Sequence, residues 1–73
     1  MIMGKVLLST KKAANWTAEE MSIRAEQLYY LLQTLTENFN NMEEVQRLAL
    51  IEIARNFSGD INSWFSAQES RKQ

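Results

Sequence analysis

The chain has no cysteine, no histidine and no proline, and only two glycines among its 73 residues. Each absence excludes something. Without cysteine there is no disulfide framework and no thiolate site for zinc. Without histidine the commonest metal ligand and the commonest general base are missing, so neither a Ser–His–Asp nor a Cys–His arrangement can be built. Gly4 and Gly59 stand alone, which rules out a glycine-rich phosphate loop. The carboxylate pairs Glu19-Glu20 and Glu43-Glu44 fall where helix N-termini are expected and read as helix-start residues. Glu52, set among apolar neighbours, reads as the solvated partner of Arg55. The expectation is a protein that is not an enzyme and needs no cofactor or metal.

Long hydrophobic runs are missing too. Val6-Leu7-Leu8 is shorter than the apolar stretch of about 7–15 residues in a secretory signal, and far shorter than the roughly 20 residues of a membrane span. A cytoplasmic location without membrane contact is the resulting expectation. Charge of one sign is also lacking: nine acidic and eight basic residues leave a net −1. A dedicated nucleic-acid binder shows a strong basic patch, so no direct nucleic-acid contact is expected. The charges are unevenly placed. Lys5, Lys11 and Lys12 make the start basic, whereas residues 17–39 set Glu19, Glu20, Glu26 and Glu37 against Arg24.

What is present is helical patterning. Hydrophobic residues make up 45% of a proline-free chain, which favours long helices. In Trp16-Thr17-Ala18-Glu19-Glu20-Met21, Thr17 can cap the free amides while Glu20 reaches back to the Thr17 amide, a capping box. Trp16 and Met21 occupy the positions of a hydrophobic staple. Met21, Ala25, Leu28, Leu32, Leu35 and Phe39 then follow at spacings of 4, 3, 4, 3 and 4, a heptad seam flanked by Tyr29 and Leu31. Asn38, Asn40 and Asn41 mark a turn, and either Asn40 or Asn41 can cap a second helix. Its seam is Leu50, Ala54, Phe57, Ile61 and Trp64, flanked by Ile53 and Phe65. Gly59 could break this helix, but the seam keeps its phase across it, so a continuous helix is favoured. The fold class is all-α: an antiparallel two-helix hairpin, about 18–39 and 42–67, in a single domain. Residues 1–16 read as an arm that could be mobile, and 68–73 as a frayed tail.

Seventy-three residues bury only about 60% of their unfolded surface, so such a domain needs a staple. With disulfides and metals excluded, association remains. From Leu48 to Ala54 only Glu52 is polar, and a helix apolar nearly all round is buried on more than one face. A homodimer forming a four-helix bundle would cover the surplus, with Leu50, Phe57, Ile61, Trp64 and Phe65 as interface candidates. Trp16 and Trp64 are expected at a rim or partly wet, because a buried indole N–H needs an acceptor. Ile23 and Tyr30 lie opposite the first seam; with Leu48 and Ile51 they are candidates for binding a different partner.

At Ala25-Glu26-Gln27-Leu28-Tyr29-Tyr30-Leu31-Leu32 and from Leu50 to Ile61 the chain resembles small helical-hairpin proteins encoded by phages and prophages, some of them antirepressors or inhibitors of host defence. The resemblance covers the two helices and is one of style. It implies a regulator that docks a helical face on a partner, such as a DNA-binding repressor, and blocks it, with Glu26, Glu37 and Glu52 facing basic residues. Two other readings stand beside it: an assembly co-chaperone of a bacterial secretion system, and DNA binding through Lys11, Lys12, Arg71 and Lys72 brought together in a dimer.

Overall fold

The hexapeptide from Trp16 to Met21 starts a helix in the manner its sequence requires. In the computed structural model, which describes residues 11–71, Thr17 Oγ1 accepts the Glu20 amide at 3.1 Å. The Thr17 amide donates to Glu20 Oε1 at 2.9 Å, so both halves of the capping box are made. Helix α1 runs Ala18–Asn38. At its end Asn38 Nδ2 donates back to the Thr34 carbonyl at 2.9 Å, and the chain tightens into a 3-10 turn, Phe39–Asn41.

Helix α2 runs Glu44–Arg71. Neither asparagine expected to cap it does so: Asn40 and Asn41 belong to the turn, and Met42 supplies the extended residue, at φ −98° and ψ 149°. Helix entry therefore falls to Glu43, whose amide is taken by Gln46 Oε1 at 3.2 Å and whose carbonyl accepts the Arg47 amide at 3.0 Å. The reach-back comes from a glutamine three residues on, which is the N3 half of a capping box. Gly59 lies inside the continuous helix, as the phase of the seam required. The helix also continues one turn past the expected end at residue 67, and Arg71 is tied down. Its guanidinium donates to the Ala14 carbonyl and to Asn15 Oδ1, both at 3.4 Å.

The two helices differ in length, 28 residues for α2 against 21 for α1, or roughly 42 and 32 Å at 1.5 Å per residue. Residues ahead of α1 cover the overhang. A 3-10 turn, Ala13–Asn15, packs on the last turns of α2, so residues 11–16 form a docked lid where an arm was expected. Residues 1–10, and residues 72–73 of the expected tail, lie outside the described residues.

The seam of α2 is as its spacing predicts: Ala54 is buried, and Leu50, Phe57, Ile61 and Trp64 are half-buried. The seam of α1 is not. Met21 and Leu35 are buried and Leu28 half-buried, but Ala25, Leu32 and Phe39 are exposed, and Arg24 and Leu31 are more buried than they are. The inward spacing is 3, 4, 3, 4. Arg24 makes this phase possible. Its Cζ lies 3.9 Å from the centre of the Phe57 ring and 5.3 Å from that of Trp16, and its Nε stands 3.7 Å from Asp60 Oδ2. A guanidinium is weakly hydrated and stacks on aromatic faces, so it can fill a seam position that apolar periodicity assigns elsewhere. Among the described residues no helix is long and apolar enough to cross a membrane.

Candidate interaction surfaces

A hairpin of this size has little interior. Among the described residues its buried hydrophobic side chains are Trp16, Met21, Leu35 and Ala54, and none is fully enclosed. Trp16, only 6% exposed, was expected at a wet rim; its indole N–H instead finds the Lys11 carbonyl at 3.2 Å. The Trp64 N–H reaches the Trp16 carbonyl at 2.8 Å. Both indoles thus satisfy the condition that lets them be covered. Lys11 Nζ also lies 3.1 Å from Glu20 Oε1. The Thr17 amide first, and Lys11 second, hold the Glu20 carboxyl below its ordinary value.

Against this small interior stand nine large hydrophobic residues left exposed among the described residues: Tyr29, Tyr30, Leu32, Phe39, Val45, Leu48, Ile51, Ile53 and Phe65. The Arg47–Phe39 contact shows how they are arranged. Arg47 Nε donates to the Phe39 carbonyl at 2.8 Å, and its Cζ stands 4.7 Å from the centre of the Phe39 ring. These two residues therefore lie on one side of the hairpin. Ile51 is one turn on from Arg47 and Phe65 is 18 residues on, a whole number of turns at 3.6 residues each. Leu32 and Ala25 are one and two heptads back from Phe39. The same broad side thus carries Ala25, Leu32 and Phe39 from α1, and Ile51 and Phe65 from α2. Tyr29 and Leu32 border a shallow trough at its edge with Gln33, Thr36 and Glu37. Arg47 shares this side of α2 with Arg55, one turn on from Ile51, and with Glu69, 18 residues on from it.

The outer side of α1 has a different character. Ile23, Tyr30 and Glu37 follow at heptad spacing beside Glu19, Glu26 and Gln33. Tyr30 is 57% exposed and meets Tyr29 edge to face, with ring centres 5.0 Å apart. Glu37 is held by Gln33 Nε2 at 3.2 Å. Among the described residues no basic residue lies on this strip.

The residues singled out from sequence are thus divided among several surroundings. Leu50, Phe57, Ile61 and Trp64, expected between two hairpins, are half-buried on the side of α2 that meets α1. Of that group Phe65 alone is left outside, edge to face with Trp64 at 5.0 Å. Tyr30, Leu48 and Ile51 are exposed and Ile23 is half-buried, and the four do not form one patch: Ile51 belongs to the broad side, Tyr30 and Ile23 to the outer side of α1. Leu48 stands with Val45 on the outside of α2. The exposed positions Leu32 and Phe39 were assigned inward by their spacing. Leu31 next to Leu32 was the available sign that the seam could take the other phase.

No group of three acidic side chains that could hold a metal occurs among the described residues. No family model, no curated protein and no solved structure matches this chain.

Proposed function

We propose that this chain is a small cytoplasmic regulator that binds another protein and blocks it, using the outer side of α1 as its contact face. The observation that carries this reading is Tyr30, more than half exposed on a strip that bears Glu26 and Glu37 and, among the described residues, no cation. An exposed tyrosine supplies contact area with a polar tip, and aromatic residues of this kind are enriched at binding hot spots. Carboxylates around it favour a partner whose socket is rimmed by lysine or arginine, because complementary charge steers encounter and fixes register. The DNA-binding surface of a transcriptional repressor has that chemistry, and covering it would release the repressed site. This is the blocking action implied by the resemblance to antirepressor hairpins. Val45 and Leu48, one helical turn apart on α2, supply a second apolar contact.

The test is a photo-crosslinking residue at position 30 in cells that make the protein. The expected result is an adduct with a basic protein, at least tenfold weaker when Glu26→Lys and Glu37→Lys are added. Adducts to copies of the chain alone, or an adduct indifferent to the charge reversal, would sink the reading.

A further inference from the structure

We propose that the broad side bearing Ala25, Leu32, Phe39, Ile51 and Phe65 is where a second copy of the chain docks, closing two hairpins into a four-helix bundle. The surface is separate from the strip around Tyr30, and the inference does not depend on what Tyr30 binds. Three observations select a second copy as the occupant.

Area comes first. With aromatic side chains of about 150–250 Å², the exposed fractions of Tyr29, Leu32, Phe39, Ile51 and Phe65 leave on the order of 550 Å² open on this side. A standard interface takes roughly 800 Å² from each partner, of which about 65% is apolar in homodimers. The patch supplies that apolar share.

Charge is the second observation. A two-fold interface brings each residue's surroundings against those of its own copy, so a one-signed charged face would repel itself. The charges on this side are of both signs, Arg47 and Arg55 with Glu69, and Arg47 is already engaged with the Phe39 ring and carbonyl.

The third is supply. Among the described residues the buried hydrophobic side chains are Trp16, Met21, Leu35 and Ala54, a small interior for a hairpin of this length. The occupant must therefore be present whenever the chain is folded, and a second copy always is. This interface differs from one built on Leu50, Phe57, Ile61 and Trp64, which face α1 within their own hairpin.

The chain has no cysteine, so a single introduced thiol reports one position without background. Ile51 and Ile53 are matched probes: they are 42% and 40% exposed but lie about 200° apart around α2. On the full chain, light scattering is expected to give twice the 8.5 kDa chain mass. The thiol of Ile51→Cys should react at least tenfold more slowly as concentration is raised through the dimerisation range, while Ile53→Cys keeps its rate. A Leu32→Glu, Ile51→Glu double variant should halve the mass. A monomer at all concentrations overturns the proposal. So does a dimer that protects Ile53→Cys instead, or an Ile51→Cys protected equally at every concentration, which would mean cover from the same chain.

Discussion

The two ends of the hairpin are built on different principles. At the end where the chain enters, Trp16, Arg24, Phe57, Asp60 and Trp64 are joined by ring stacking, an ion pair and side chain–backbone hydrogen bonds. Arg71 adds its own contacts to the lid. At the loop end Leu35 is buried, but Leu32, Phe39, Val45, Leu48, Ile51 and Ile53 are all exposed. One end ties most of its polar groups within the chain, Arg24 Nε having only its ion pair with Asp60, and leaves Phe65 as its large exposed hydrophobic residue. The other has few polar needs and a great deal of apolar surface. The contacts that the chain makes with itself are concentrated at the first end, and most of its exposed large hydrophobic residues lie towards the second.

The most direct way to break this contrast is to empty the closed end. Trp16→Ala should cost about 3–5 kcal/mol, the usual loss for a buried tryptophan, seen as loss of the cooperative melt in circular dichroism. If the melt survives, the lid contributes nothing and the closed end is not what holds the hairpin. Next comes Arg24→Ala, which removes a stacked cation and the stem that packs beneath it. A loss of about 2 kcal/mol in urea unfolding is expected. Asp60 is partly exposed and can hydrate once unpaired, which keeps the effect moderate.

A third change should sharpen the picture in the opposite direction. A Cβ added at Gly59 would meet nothing within 4 Å, so Gly59→Ala should stabilise by about 1 kcal/mol through helix propensity alone. A higher melting temperature with unchanged helicity would bear this out; a lower one would mean that the glycine faces a neighbour in the assembled state.

The smallest effect is that of pH. The Glu20 carboxyl is held below its ordinary value, chiefly by the Thr17 amide. Its folded pKa is therefore lower than its unfolded one. The stability it confers is present above the unfolded value and disappears as pH falls through the folded value. An NMR titration should show the Thr17 amide shifting together with the Glu20 carboxyl, at a pH below that of an ordinary glutamate. The link should vanish in Thr17→Ala only if the hydroxyl orders the box.

Much of the hairpin was legible because its signals are local. The capping box at Thr17 and Glu20 needs four residues of sequence, and the phase of Leu50 to Trp64 across Gly59 needs one helix. The phase of α1 was only half legible. Leu31 and Leu32 are equally good seam residues, and hydropathy places Arg24 on the surface because it cannot anticipate rings on two other segments. The lid was not legible at all. Its bonds join Trp64 to Trp16 and Arg71 to Ala14, 48 and 57 residues apart, and no periodicity records such a contact. The candidate surfaces suffered in consequence. Once Phe57 and Trp64 face inward and Leu32 and Phe39 outward, the apolar face moves to another side of the molecule.

Two heptad seams laid side by side share a weakness: sliding one helix past the other by seven residues, about 10 Å, restores much the same pattern of knobs and holes. Leu, Ala and Ile at repeating intervals do little to forbid it. The Trp64 indole bonded to the Trp16 carbonyl at 2.8 Å is not periodic, since the chain has no second tryptophan a heptad away on either segment. It acts as an index mark between two otherwise repetitive scales. A chain with Trp64→Phe would keep the ring and lose the mark, leaving slipped hairpins that still look helpful to a neighbour but present the wrong residues to it.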